Sequence, residues 1–155
     1  MKVEIERKFL VKNQDWKKLI VEKHSIQQGY LNTDKSCNVR VRIMNNLAFI
    51  TIKGKRVNTA RPEFEYEIPL NDAESILKLS KNSIIKKTRF TVNHKGQIWE
   101  IDQFEGDNQG LVIAEIELKQ KDEAISLPNW IGTEISNDER FYNLSLSSNP
   151  FKNWN

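Results

Sequence analysis

Cysteine, histidine and long apolar runs are all scarce in this 155-residue chain. The single cysteine, Cys37, rules out an intramolecular disulfide framework and fits a reducing, cytoplasmic compartment. One cysteine with two histidines, His24 and His94, also leaves too few ligands for a structural zinc cage. The longest apolar run, Leu111 to Ala114, stops at Glu115, far short of the ~20 residues of a spanning helix, so no membrane partner is expected. Met1 to Lys8 contain no apolar signal core, so no targeting segment is expected. Excess charge is small: 24 basic against 21 acidic residues, a net of +3, with no case for a nucleic-acid partner without clustering. No low-complexity linker and no internal repeat divides the sequence. Its length suits one domain, taken as residues 1–155, with a polar tail at 147–155 that only Phe151 and Trp154 would attach.

What is abundant is alternation. Val3, Ile5 and Phe9 interleave with Glu4, Glu6 and Lys8; Val39, Val41 and Ile43 with Arg40 and Arg42; Phe64, Tyr66 and Ile68 with Glu63, Glu65 and Glu67. A period of two reads as half-buried strands, and about eight are expected, at roughly 3–11, 26–32, 39–44, 47–54, 62–69, 84–93, 97–104 and 111–119. Asn45-Asn46 and His94-Lys95-Gly96 supply short hairpin turns. Helices are expected at roughly 15–23, 72–79 (Asn71 as N-cap, Glu74 three residues on) and 138–146.

The polar positions carry the chemistry. They come as like-charged groups at spacing two: Glu4/Glu6, Arg40/Arg42, Glu63/Glu65/Glu67, Lys87/Arg89, Glu100/Asp102 and Glu115/Glu117. That spacing aims both side chains at one face of a strand, where like charges repel unless something neutralises them. One such strand alone is an ordinary solvated face; six groups over most strands are not. If the helices cover the apolar face, the charged face turns inward, and eight antiparallel strands tend to close into a barrel. The expected fold is therefore α+β, mainly β: a closed eight-stranded antiparallel barrel with helices outside. Its lumen would hold six bases (Lys8, Arg40, Arg42, Lys53, Lys87, Arg89) and nine acids. Clustered carboxylates suit Mg²⁺ or Mn²⁺, and clustered Arg and Lys suit phosphate oxygens. Together they suggest a polyphosphate bound with a divalent metal, hydrolysed with the metal's help.

Glu4 to Lys8, EIERK, resembles the ExExK signature of the CYTH superfamily, the triphosphate tunnel metalloenzymes. QGYL (28–31), VRVR (39–42), TIKG (51–54), EFEYEI (63–68), KTRF (87–90), WEIDQF (99–104), GLVIAEIEL (110–118) and GTEISNDERFYN (132–143) resemble its further blocks, over nearly the whole chain. The resemblance implies a triphosphate-binding tunnel. It implies Glu4, Glu6, Glu115 and Glu117 as metal ligands, with Asp102 as a further metal or water contact. Glu63 and Glu65 would assist the metal or the attacking water. Lys8, Arg40, Arg42, Lys53, Lys87 and Arg89 would grip the phosphates, Lys87 nearest the reacting water or leaving group. It also allows a homodimer.

Metal-dependent hydrolysis of inorganic tripolyphosphate is the expected activity, because no extra module for an organic moiety is visible. The same fold also serves class IV-type adenylate cyclases and thiamine or nucleoside triphosphatases. A non-catalytic polyphosphate-binding module is the alternative from another class, and such a module would not need Glu4, Glu6, Glu115 and Glu117 together. Tyr30 and the four tryptophans read as packing, with Trp99 aimed outward under a helix. Tyr142 and Asn143 read as closure of the tunnel or its terminal helix.

Overall fold

A computed structural model describes residues 2–154. Nine strands form one sheet: β1 (Lys2–Val11), β2 (Ile20–Tyr30), β3 (Cys37–Met44), β4 (Leu47–Gly54), β5 (Ala60–Ile68), β6 (Ile85–His94), β7 (Gln97–Phe104), β8 (Val112–Glu117) and β9 (Ile131–Glu134). Two α-helices, α1 (Leu70–Leu77) and α2 (Asn143–Ser148), and four short 3₁₀ turns complete the described chain. Strand order is β5-β4-β3-β2-β6-β7-β8-β1, and β1 pairs back to β5, closing an eight-stranded antiparallel barrel. One edge of β1 serves β8; the other is shared between β5, through Lys2 to Ile5, and the extra strand β9, through Phe9 and Val11.

Local chemistry fixes the register. Asn45 takes a left-handed conformation at φ 55°, which lets a two-residue turn set Met44 opposite Leu47, Arg42 opposite Phe49 and Arg40 opposite Thr51. Lys95 and Gly96, both at positive φ, close the β6–β7 hairpin in the same way, with His94 opposite Gln97. A Cβ on Gly132 would stand 3.0 Å from the Leu10 carbonyl oxygen, so glycine eases the close approach of β9 to β1.

Three apolar clusters hold the barrel. On one outer wall Ala73 and Leu77 of α1 pack on Val41 and Ala48. On the opposite wall Trp99, Ile101, Ala114 and Ile116 are covered by Trp16, Leu118 and Trp130, with Trp130 5.6 Å from Trp99. The third cluster is inside: Leu10, Ile85, Phe104 and Ile113 share strand parity with the lumen charges, and Phe141 and Leu146 seat against them. The C-terminal segment thus plugs one end of the barrel with hydrocarbon.

Several expectations change. The helix expected at 15–23 is a 3₁₀ turn at Asp15–Leu19, after which β2 begins at Ile20 and pairs with Val92 of β6. The β-branched pair Ile20-Val21 favours the strand. The helix α1 starts at Leu70 after Pro69, with no Asn71 side-chain cap. Extended Tyr142 splits the expected 138–146 helix into a 3₁₀ turn at Glu139–Phe141 and α2. β9 was not expected. Trp99 does face outward, yet what covers it is a 3₁₀ turn and loop rather than an α-helix. The tail at 147–154 is held, not loose: Ser147 is buried, Phe151 N–H donates to Asn108 Oδ1 at 2.8 Å, and Trp154 meets Phe141 edge-on at 5.0 Å. Asn155 lies outside the described residues.

Candidate active site

Strand parity turns the charged positions inward, around a cavity of about 760 Å³. Eleven bases and nine acids line it, so base is in slight excess. Lys8, Arg40, Arg42, Lys53, Lys87 and Arg89, expected to grip phosphate, all border this cavity. So do Glu4, Glu6, Glu115 and Glu117, expected as metal ligands, and Glu63 and Glu65, expected to assist catalysis.

One part of the lumen is rich in guanidinium. Arg40 and Arg42 on β3 neighbour each other at spacing two, and Arg89 enters from β6. Arg40 Nη2 donates to Thr51 Oγ1 at 3.1 Å and reaches Glu65 at 3.5 Å; Arg42 Nη2 comes no nearer than 3.7 Å to that carboxylate. Burial, then the charges of Arg40 and Arg89, pull Arg42 down to about 10. The Nε atoms of Arg40, Arg42 and Arg56 are buried without a hydrogen-bond partner, as is Gln28 Oε1. Orphaned cationic donors around one cavity are a surface made for an anion.

Along β1 the acids and bases interleave. Lys53 Nζ donates to both oxygens of Glu4, at 2.9 and 3.1 Å, and sits 3.4 Å from Glu63. Lys8 lies 3.6 Å from Glu6 and 3.4 Å from Glu115, and these carboxylates raise its pKa against the opposing effect of burial. Glu117, half-exposed, is 3.4 Å from Lys2. Burial tends to raise the Glu63 carboxyl, but the nearby charges of Lys53 and Lys2 help bring it below its ordinary value.

These contacts bear on a metal. Among the described residues, no three His, Cys, Asp or Glu side chains already converge as a metal site. Each expected carboxylate is turned toward a lysine or arginine instead. The donor set nevertheless fits a hard divalent ion. All four are carboxylates, and β1–β8 pairing sets Glu6 opposite Glu117 and Lys8 opposite Glu115, so the oxygens can turn inward together.

Asp102 has a different place from the metal or water contact expected of it. It is fully buried under the lumen and is not among the residues bordering the cavity. Arg89 grips it with two bonds, Nε to Oδ1 at 2.7 Å and Nη2 to Oδ2 at 2.8 Å, and Lys87 Nζ donates to Oδ2 at 2.7 Å. Burial works against its ionisation, but Arg89 and Lys87 outweigh it and hold the carboxyl far below its ordinary range. Asp102 is thus a counter-ion that aims two bases, with its oxygens already taken. Lys87 is pulled down to about 8 by burial and by the neighbouring Arg89, against the pull of Asp102.

Other positions on the cavity escape the sequence pattern. Arg61 lies one parity step before Glu63 on β5, so extending that alternation finds it. Arg56 sits in the β4–β5 connection, where no alternation points to it. Asn143, the first residue of α2, reaches in to accept hydrogen bonds from Lys87 Nζ at 3.1 Å and Gln28 Nε2 at 3.0 Å. Tyr30, read as packing, is buried yet borders the cavity.

A closed eight-stranded barrel with arginines and carboxylates facing one lumen defines the triphosphate tunnel class. This chain belongs to the CYTH family, whose domain model matches residues 2–148. It is 42% identical over 152 residues to an inorganic triphosphatase of Acetivibrio thermocellus, covering 97% of each chain. It is 32% identical over 150 residues to an inorganic triphosphatase of Nitrosomonas europaea, covering 93% of this chain and 96% of that one. The crystal structure of an inorganic triphosphatase superposes with a TM-score of 0.68 at 32% identity, over 93% of this chain and 97% of that one. A Pyrococcus horikoshii protein, 20% identical with a TM-score of 0.60 over 76% of this chain and 80% of its own, shares the fold. Triphosphatases of this family are metal-dependent. No helix among the described residues is long and apolar enough to cross a membrane.

Proposed function

We propose that this chain is a cytoplasmic hydrolase of inorganic triphosphate, working in the barrel lumen with Mg²⁺ or Mn²⁺. One observation carries the reading: three arginines with buried, unpartnered Nε donors line the same cavity as the carboxylates of β1 and β8. The relatives named above, across nearly their full length, support it. Aromatic lining supports the inorganic substrate. Among the described residues it consists of Tyr30, which is buried, and Tyr142, whose ring has Lys8 Nζ at 5.6 Å and Arg56 at 5.1 Å. With cations over the Tyr142 ring and Tyr30 buried, this lining favours phosphate over a stacked adenine or thiazole ring.

In this reading Arg40, Arg42 and Arg89 bind the phosphate chain with charge-assisted, fork-shaped contacts, and Lys53 and Lys8 complete the grip. Glu4, Glu6, Glu115 and Glu117 would hold a divalent ion, and that ion would supply Lewis acidity toward phosphoryl oxygens and water. Glu63 and Glu65 orient the attacking water. Lys87, aimed by Asp102 and Asn143, stabilises the leaving phosphate oxygen. The apolar plug of Phe141 and Leu146 shuts one end, so substrate enters and product leaves by the other.

The test is phosphate release from tripolyphosphate, ATP and thiamine triphosphate in parallel, with Mg²⁺, Mn²⁺ or chelator. Cyclic AMP is assayed in the ATP arm. Chelator-sensitive release chiefly from tripolyphosphate is expected. Cyclic AMP, or tight triphosphate binding with no turnover of any substrate, would overturn the reading.

A further inference from the structure

Arg56, like Lys35 and Lys55, is a lumen base that no strand carries. A tight hairpin holds it instead: Val57 and Ala60 exchange backbone hydrogen bonds at 2.8 and 3.1 Å, and Asn58 turns at φ 56°. Glu6 N–H donates to the Thr59 carbonyl at 3.2 Å, docking this hairpin onto β1. Such a connection is braced, so Arg56 is presented to the lumen by design of the backbone rather than by chance of a loose loop.

Its side chain has one acidic partner. Nη2 donates to Glu6 Oε1 at 3.2 Å, the guanidinium lies 5.1 Å from the Tyr142 ring centroid, and Nε is buried with nothing to bond. Cations surround it. Lys8 shares the same Glu6 carboxylate, and Arg61, lowered first by burial and then by the charge of Arg56, lies close by. Three bases therefore converge where Glu6 is the carboxylate bonded to Arg56. If Glu6 turns to a divalent ion, that compensation leaves, and the guanidinium must find another anion. The anion at hand is the phosphate chain.

We propose that Arg56 is a further substrate-binding residue that exchanges partners: it holds Glu6 in the metal-free protein and moves to the triphosphate when a divalent cation takes Glu6. Arg56 thereby competes with the metal before substrate arrives and adds a phosphate contact afterward. This inference rests on the proposed triphosphatase reading for its second half. Its first half concerns Glu6 and the cation alone.

Two variants of the full chain test it. Arg56→Gln keeps the stem near Tyr142 and removes the charge; Arg56→Ala removes both. Mn²⁺ binding to the substrate-free protein is followed by electron paramagnetic resonance, and steady-state kinetics are measured with tripolyphosphate at saturating Mn²⁺. The expected result is opposite signs: Mn²⁺ binds several-fold tighter in both variants, while KM for tripolyphosphate rises about tenfold, the loss of one charge-assisted contact. Unchanged or weaker Mn²⁺ binding overturns the exchange. Unchanged KM overturns the phosphate contact. If the wild-type chain itself releases no phosphate, the triphosphatase reading fails, while the Mn²⁺ comparison still decides whether Arg56 competes for Glu6.

Discussion

At the scale of single residues, the lumen assigns different work to carboxylates that look alike in sequence. Glu115 and Asp102 both follow the alternation, yet Glu115 borders the cavity while Asp102 has no exposed surface and three short bonds from two bases. Removing the Asp102 charge leaves Lys87 and Arg89 buried and uncompensated. Asp102→Asn should therefore lower unfolding stability by about 3–5 kcal/mol, read by urea titration, and should do so equally with and without chelator. An effect confined to metal-loaded protein would return Asp102 to the metal set. The pH dependence has a definite sign. Asp102 is depressed in the folded state, so its contribution is present above the unfolded value of about 3.9 and is lost as pH falls below it. Lys87 acts at the other limb. In the proposed mechanism its proton meets a leaving phosphate oxygen, and burial brings its pKa to about 8. With kcat/KM reporting the free enzyme, that parameter should decline as pH rises through about 8, and a profile flat to pH 10 would remove Lys87 from the chemistry. Arg40, Arg42, Lys53 and the four glutamates were legible because parity is strict on a strand. The burial of Asp102 was not, since depth below a lumen depends on which neighbour reaches over it.

Elements show where a period of two loses its information. The β3–β4 hairpin was readable down to its facing pairs, because Asn45-Asn46 permits one short turn and that turn fixes the register. β9 was invisible: four residues, Ile131–Glu134, are too few to display alternation, and Gly132 eases the strand's approach to Leu10. The start of β2 misled for a related reason, as Trp16, Leu19 and Ile20 fit a helical face until Ile20 pairs with Val92 across the sheet. The segment of α2 was expected as helix, but its role inside the barrel was not, because Leu10, Ile85, Phe104 and Ile113 continue the parity of charged residues with apolar ones. Leu146 is fully buried among them. Leu146→Ala should cost about 2–5 kcal/mol of stability. Because α2 also brings Asn143 to Lys87, the same variant should lower kcat for tripolyphosphate more than it raises KM. A stable, fully active Leu146→Ala protein would show that the plug is decoration.

For the whole molecule, closure and function pull in opposite directions. Pairing β1 with β5 closes the eight-stranded barrel but concentrates Arg40, Arg42 and Arg89 around one space. Acids partly compensate them, yet Arg42 keeps an unbonded Nε, stands 3.7 Å from its nearest carboxylate partner and is depressed by burial and its arginine neighbours. In the proposed function such a residue destabilises the free barrel and finds its partners in the phosphate chain. Active sites often keep this trade between stability and binding. Tripolyphosphate should accordingly stabilise the wild-type protein even in chelator, by about 2.7 kcal/mol at a hundredfold excess over Kd, read as a higher melting temperature. Arg42→Gln should shift the two states oppositely. Without ligand it should melt higher than wild type, by on the order of 1 kcal/mol or ~2–4 °C, because a buried unsatisfied donor is gone. With tripolyphosphate its gain should shrink several-fold, because a fork-shaped phosphate contact is gone as well. Differential scanning fluorimetry with and without tripolyphosphate reads both quantities. A variant that melts lower than wild type and keeps the full ligand shift would place Arg42 among the residues that hold the barrel together rather than those that hold its substrate.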